Sequence, residues 1–336
     1  MKIADYSTLF ALGGSWRQKR AEKRLTYTDK SMRTRQAMMV NYIIPLWGSY
    51  NPKRLTVDVI DSAMAGVKSK FKKIKNADEK APVEYVPLGS ASRNRILSVL
   101  SELYMHLMLI KVVKYNPVRD VVRCRQEPDH PRAALSVKDM GKLFPKTHEE
   151  LKALYVSQRY ICAFMILKDT GLRPGELVAL KWEDWYPEEK FFPILKAIES
   201  GTRGKEKGTK TGATKPAIIT DQTAMEIEAL RKKVKPKPGE YIFANCYGIP
   251  YDTHRLSYAF HRAVDRSGIN RPELVPYNLR HTFVTVMLES LPDKMMDSLS
   301  GHNTERMKKF YRHAGLESLK REAANIRAEV NAARLF

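Results

Sequence analysis

The sequence has no apolar stretch approaching the roughly 18 residues that a membrane-spanning helix needs, so a helical membrane protein is not expected. Cysteine is scarce. Cys124, Cys162 and Cys246 are far apart and odd in number, which argues against a disulfide framework and fits a reducing cytoplasm. None has a CxxC neighbour, so no structural zinc site is expected. The opening MKIADYSTLFALGGSW carries one positive charge ahead of a short, interrupted apolar run, and no signal peptide is expected. GxxxxGK[ST] is missing, which removes the usual ATP-binding loop. No acidic metal cluster stands out, so the expectation is neither metal nor cofactor. Acid is also in short supply: 37 Asp and Glu face 59 Lys and Arg, a formal net charge of +22. A field of that sign favours polyanions, and nucleic acid is the commonest large one.

What is present is enough apolar material for packed cores. Hydrophobic residues make up 43% of 336 residues, and that length suggests two domains. Residues 1–30, with the run RQKRAEKR, read as a basic N-terminal arm, disordered and suited to tracking phosphates. Residues 31–122 read as an all-α domain. Met38, Met39, Tyr42 and Ile43 recur on a helical period until Pro45 stops the run. Val57, Ile60, Met64, Val67 and Phe71 mark a second helix, then a polar loop. Ile96, Val99, Leu100, Leu103 and Leu107 mark the strongest third helix. The charged, proline-containing 123–133 reads as a linker. Residues 134–336 read as mixed: SVKD opens a helix with a capping box, RYICAFMILKDT is a buried helix, and FFPILKAI and KPAIIT flank a Gly/Lys-rich hairpin tip. The expected fold class is mainly α with a small antiparallel β-sheet.

Several pieces of the second half carry unusual chemistry. In TGLRPGEL, Gly171 ends the buried helix and Pro174 suits the first position of the next. Arg173 then sits at a helix N-terminus, a place suited to phosphate, or it pairs with Glu176 to hold the turn. In GTKTGAT, Lys210 is either a solvated loop lysine or an ammonium delivered by a mobile tip to a leaving oxygen. In VPYNLRHTFVTVML, Leu279, Phe283 and Val286 or Met287 share a helical face, leaving Arg280 and His281 off that stripe. In LSGHNTERMKKFYRH, His302 precedes Tyr311 by nine residues, and Lys308, Lys309 and Arg312 surround the phenol. The helix DTHRLSYAFHRAVDRSG packs through Leu256, Phe260 and Val264 and turns out His254, Arg255, Tyr258, His261 and Arg262. The tail carries a narrow apolar stripe of Leu316, Leu319, Ala323, Ile326 and Val330 on a charged helix.

In combination, and in the order Arg, Lys, Arg, His, Tyr, these motifs resemble the tyrosine recombinase (phage integrase) family, with its lambda integrase, Cre and Xer branches. The resemblance covers most of the chain. It implies a two-domain DNA clamp: an all-α, SAM-like core-binding domain over 31–122 and an α+β catalytic domain over 134–336. By resemblance Arg173 and Arg280 clamp the scissile phosphate, Lys210 is the hairpin lysine (with Lys207 or Lys215 as alternative matches), His302 is the late His/Trp position, and Tyr311 is the nucleophile. Glu176 buttresses the first arginine, and His281 is a neighbour read as structural. Arg255, Tyr258 and Arg262 lie on the helix that contacts DNA in the family, and Lys308 and Lys309 neutralise backbone or form a solvated face. One position departs: where the family usually has a histidine, three residues before the second arginine, this chain has Tyr277. A phenol is a poor base at neutral pH.

The resemblance implies a site-specific DNA recombinase or integrase, cutting and rejoining strands through a covalent 3′-phosphotyrosine and a Holliday junction, without metal or ATP, in phage or mobile-element integration or excision. Its implied partners are duplex DNA with a specific site, a homotetramer joined through the C-terminal helix, and accessory bending or directionality factors, with no membrane. A separate arm-binding domain is not expected, and the implied setting is the nucleoid of a bacterial, archaeal or phage-host cytoplasm. Alternatives are type IB topoisomerase-like relaxation, Xer-like chromosome or plasmid resolution, and a non-catalytic DNA-binding regulator.

Overall fold

The computed structural model describes residues 1–22, 27–73, 85–125, 134–202, 204–208, 215–290, 324, 327 and 328. The chain divides into two compact units, Met1–His130 and Pro131–Phe336.

The first unit is built from α1 (Ser15–Glu22), α2 (Asp29–Met38), α3 (Ile44–Trp47), α4 (Val57–Ala65) and α5 (Ser90–Leu109), with an antiparallel pair, β1 (Lys68–Lys73) and β2 (Tyr85–Pro87). All five residues of the stripe read on α5 are buried. Three expectations are corrected here. The first concerns the basic arm, because residues before 23 are folded into the core. Ile3, Leu9, Phe10 and Trp16 are buried in the same cluster as α5. The Ile3 and Ala4 amides donate to the Tyr50 and Gly48 carbonyls at 3.0 Å. Trp16 Nε1 donates to Glu102, whose carboxylate also takes a two-pronged grip from Arg35 at 2.8 and 2.9 Å. The charges of α1 lie around an apolar anchor.

The second correction is at Pro45. The helix does not stop there; a π-helical turn, Met39–Ile43, leads into α3 with Pro45 in its first turn. The wider turn leaves the proline's missing N–H without consequence. The third is the end of α4. It stops at Ala65 with Gly66 as its cap, and Lys68–Lys73 runs as a strand.

The second unit contains α6 (Val137–Leu143), α7 (His148–Tyr155), α8 (Gln158–Thr170), α9 (Pro174–Leu177), α10 (Asp221–Val234), α11 (Thr253–Arg266) and α12 (Pro276–Ser290). Ser136 Oγ accepts from the Asp139 amide at 3.1 Å and caps α6. Helix α8 is the axis of this core: residues 161–167 are all buried, and it packs against α10 and α12. Two short antiparallel pairs complete the unit. Strand β3 (Phe191–Ile194) pairs with β6 (Lys215–Ile218), and β4 (Lys196–Ile198) pairs with β5 (Glu206–Gly208).

Glycine fixes the turn from α8 to α9. Gly171 has φ +57°, and a Cβ there would lie 2.5 Å from the Phe283 ring on α12. One residue thus satisfies a left-handed cap and a close helix approach. Gly175 lets α9 lie on β4, since its Cβ would meet the Ile198 carbonyl at 2.8 Å. Phe283 and Leu279 of the stripe read on α12 are buried, but Val286 is 38% exposed.

Two outcomes follow from this packing. Phe10→Ala is expected to lower chemical-denaturation stability by about 3–5 kcal/mol, the cost of emptying a buried aromatic site; a disordered arm would give no change. Gly171→Ala is expected to cost about 2–4 kcal/mol by the same measurement, from left-handed strain plus overpacking against Phe283; a loss below about 1 kcal/mol would refute the contact.

Candidate active site and nucleic-acid face

The site starts at the α8–α9 turn. Arg173 is the residue before α9, held in extended backbone, and Pro174 opens the helix. Glu176, one turn on and 2% exposed, closes back onto it. Its Oε2 accepts from the Arg173 amide at 3.0 Å, and its Oε1 accepts from Arg173 Nη1 at 2.8 Å. The arginine therefore does hold the turn. Nη1 alone is committed to the carboxylate, and the side chain keeps 24% exposure.

Arg280 comes from α12, more than a hundred residues later. It is 4% exposed, and its Nη1 donates to the Gly171 carbonyl at 2.6 Å. The same turn thus supports both arginines. Burial pulls the Arg280 guanidinium below its ordinary value, as does the positive charge of Arg173, while Glu176 and a hydrogen bond with Tyr277 work the other way. Tyr277 therefore partners Arg280, and its ring meets His281 edge-on at 5.1 Å.

Lys215 is the third cation. It sits on β6 opposite Ile194, is 5% exposed, and places Nζ 3.3 Å from Glu176 Oε2. Burial pushes its ammonium down to about 8; Arg280 and Arg173 push the same way and Glu176 opposes them. Burial would raise the Glu176 carboxyl, but Lys215 and the Arg173 backbone and guanidinium overcome it and hold the group below its usual range. Of the three lysines considered, Lys207 is exposed on β5 opposite Ala197, and Lys210 lies outside the described residues, as do Tyr311, His302, Lys308 and Lys309. The sequence offered Lys215 only as an alternative match; its one local signal was a charge at the head of the apolar run PAII.

The neighbouring β4–β5 hairpin is tied down by charge. Glu206 accepts from Tyr241, lies 2.8 Å from Lys196 and 3.4 Å from Lys181. Hydrogen bonds from Lys196 and Tyr241 lower its carboxyl to about 2.

Helix α11 has the two faces expected of it. Leu256, Phe260, Ala263 and Val264 are buried, while Arg255, Tyr258 and Arg262 are exposed, Tyr258 to 70%. Arg255 is pre-set: its guanidinium stacks 4.4 Å from the Tyr251 ring, and its Nε donates to Tyr160 at 2.8 Å. Sequence periodicity did not disclose those two tyrosines. Arg327, in the tail expected to join protomers, donates within its own chain to the carbonyls of Glu189, Lys190 and Ile219 at 2.9–3.2 Å. Among the described residues no cluster of His, Cys, Asp and Glu is arranged to hold a metal ion, and no helix is long and apolar enough to cross a membrane.

Comparison with known proteins places these features in one family. Residues 134–317 match the Phage integrase family, more than half of the chain. The chain is 26% identical over 233 residues to tyrosine recombinase XerC of Pediococcus pentosaceus, covering 69% of this chain and 74% of that one. It is 29% identical over 261 residues to the prophage ps2 probable integrase of Lactococcus lactis, covering 68% and 65%. Among solved structures, the Tn1549 transposon integrase in complex with transposon right-end DNA aligns with TM-score 0.65 at 18% identity over 99% of each chain. A lambda integrase tetramer bound to a Holliday junction aligns with TM-score 0.63 at 17% identity, over 91% of this chain and 78% of that one. These matches show that the chain belongs to the phage integrase family of tyrosine recombinases, enzymes that cut and rejoin DNA strands.

Proposed function

We propose that this recombinase cleaves DNA with Tyr311 while Arg173 and Arg280 hold the scissile phosphate. The observation that carries the reading is the shared support of the two arginines: Arg173 caps α9 directly after the turn whose Gly171 carbonyl anchors Arg280. Two guanidinium groups suit the non-bridging oxygens of a phosphodiester, where charge grows as the bond breaks. The Tyr311 oxygen attacks phosphorus and loses its proton; the bond to the 5′ oxygen breaks, and Lys210 gives that oxygen a proton. A 3′-phosphotyrosine remains. Attack by a second 5′ hydroxyl reverses each step and releases the phenol. One ester replaces another throughout, so no outside energy source is consumed.

His302 donates a hydrogen bond to the phosphate. Tyr277 keeps Arg280 in place as its hydrogen-bond partner, and the Tyr311 proton goes to water, to the phosphate or to His302. DNA is bound through both units, with Arg255, Tyr258 and Arg262 of α11 and with Lys308 and Lys309 facing backbone phosphates. A tetramer on two DNA sites exchanges the strands through a Holliday junction, as the lambda integrase assembly suggests. The substrate is a specific site at the ends of an integrating phage or mobile element, met in the cytoplasm with accessory DNA-bending or directionality factors.

Nicked duplexes carrying the inverted repeats that flank the gene supply the test. The native chain is expected to form a covalent adduct on them that resists denaturant, and Tyr311→Phe is expected to form none; an adduct that persists in the variant disproves the assignment. On the same duplexes Tyr277→His is expected to raise the single-turnover cleavage rate at pH 7 about tenfold, because an imidazole accepts a proton that a phenol does not. An unchanged or lower rate would show that the proton leaves Tyr311 by another route.

A further inference from the structure

We infer that Lys215 is a positioning residue for the cleavage reaction, acting through Glu176 to hold Arg173 ready for the phosphate. The inference rests on the recombinase reading and goes beyond it by separating Lys215 from the lysine that protonates the leaving group.

The geometry of the Glu176 carboxylate carries the argument. Its two oxygens do different work. Oε1 takes the Arg173 guanidinium at 2.8 Å. Oε2 takes the Arg173 amide at 3.0 Å, and Lys215 leans on that same oxygen at 3.3 Å. The ammonium and the amide thus fix the carboxylate from one side, and only one oxygen is turned toward the guanidinium. Without Lys215 the carboxylate would be a buried anion with Arg173 as its remaining ion-pair partner and Arg280 nearby. Such an anion draws the guanidinium in on both oxygens and adds negative charge beside the phosphate.

Lys215 is also poorly placed to serve as the proton donor. It stands on β6, in register with Ile194 of β3, with its side chain 7% exposed. Among the described residues its Nζ has no partner closer than Glu176 Oε2 at 3.3 Å, an ion pair. The charged groups among the described residues that bear on it are Glu176, Arg280 and Arg173. A lysine in that setting balances charge, whereas a proton donor has to reach the departing oxygen.

Single-turnover cleavage on the nicked duplexes separates these roles, with DNA affinity and thermal unfolding measured alongside. Lys215→Met is expected to slow cleavage about 100-fold, the scale of losing one aligned phosphate-stabilising group, with DNA affinity within about threefold of native. Lys215→Arg, which keeps the charge, is expected to recover most of the rate. Glu176→Gln added to Lys215→Met is expected to recover about tenfold over Lys215→Met alone, because the uncompensated anion is gone; a merely structural lysine would make the double variant worse than either single one. A duplex with sulfur at the bridging 5′ position needs no proton donor, so it is expected to rescue Lys210→Ala and to leave Lys215→Met slow.

Full rescue of Lys215→Met by the sulfur duplex would make Lys215 the acid and overturn the inference. So would native-like cleavage by Lys215→Met, or a double variant slower than both singles. Should Lys215→Met fail to fold, Lys215→Gln carries the same comparison. Absence of any adduct with the native chain on these duplexes would overturn the recombinase reading itself, an outcome distinct from an active native chain indifferent to residue 215.

Discussion

The buried carboxylate of Glu176 is the constraint on which the site depends. Among the described residues it is a lone anion among three cations: Arg173 at 2.8 Å, Lys215 at 3.3 Å, and the nearby Arg280. Three positive charges and one negative leave a surplus of two in a region largely shut off from water. A buried surplus is costly, and proteins keep such charge where something will answer it. A phosphodiester carries one negative charge at rest. Attack by a phenolate adds a second while both esters are partly bonded. In the proposed reaction the surplus complements the transition state better than the substrate, which is the condition for faster chemistry as opposed to tighter binding alone.

That arrangement is possible only because the backbone brings distant residues to one turn. Gly171 closes α8 in the left-handed region, admits the Phe283 ring of α12 where a side chain would lie, and offers its carbonyl to Arg280. The apolar contact sets the approach of α12, and the polar contact sets the direction of its arginine. Thr282, one residue before Phe283, accepts from the Leu135 amide at 2.8 Å and ties the start of the unit to the same helix. Packing and chemistry are thus coupled residue by residue: moving α12 to relieve Phe283 would also move Arg280.

How much of this could be read from the sequence varied with the kind of signal. The long helices α5, α8 and α11 were legible because many apolar residues repeat on one period, so single exceptions do not hide the pattern. Arg173 and Arg280 were legible as well, since Gly171 and Pro174 punctuate the first and the stripe of α12 frames the second. The N-terminal segment misled for the opposite reason. Its basic run is conspicuous, while Ile3, Leu9, Phe10 and Trp16 are too irregularly spaced to form a period, and their burial depends on surfaces contributed by α5. Pro45 misled because proline forbids an α-helical hydrogen bond but not the wider turn found there. The hairpin lysine could not be settled because a Gly/Lys-rich loop has no periodicity to fix its register. Only strand pairing distinguishes Lys215, buried opposite Ile194, from Lys207, exposed opposite Ala197.

The large net charge and the small buried site answer different problems. A +22 surface attracts any polyanion, and that attraction weakens as salt screens it. It gathers DNA without choosing a phosphate. Choice requires groups whose positions are already fixed, because a flexible arginine must give up conformational freedom when it binds. Arg255, proposed to face DNA, lies in the middle ground: it is exposed, yet stacked on Tyr251 and bonded to Tyr160. Arg173 and Arg280 are fixed further still, by a carboxylate and by a backbone carbonyl. From the surface inward, mobility falls and directional constraint rises. Under the proposed assignment of Arg173 and Arg280, that gradient lets a protein with so indiscriminate a field perform chemistry at a single bond.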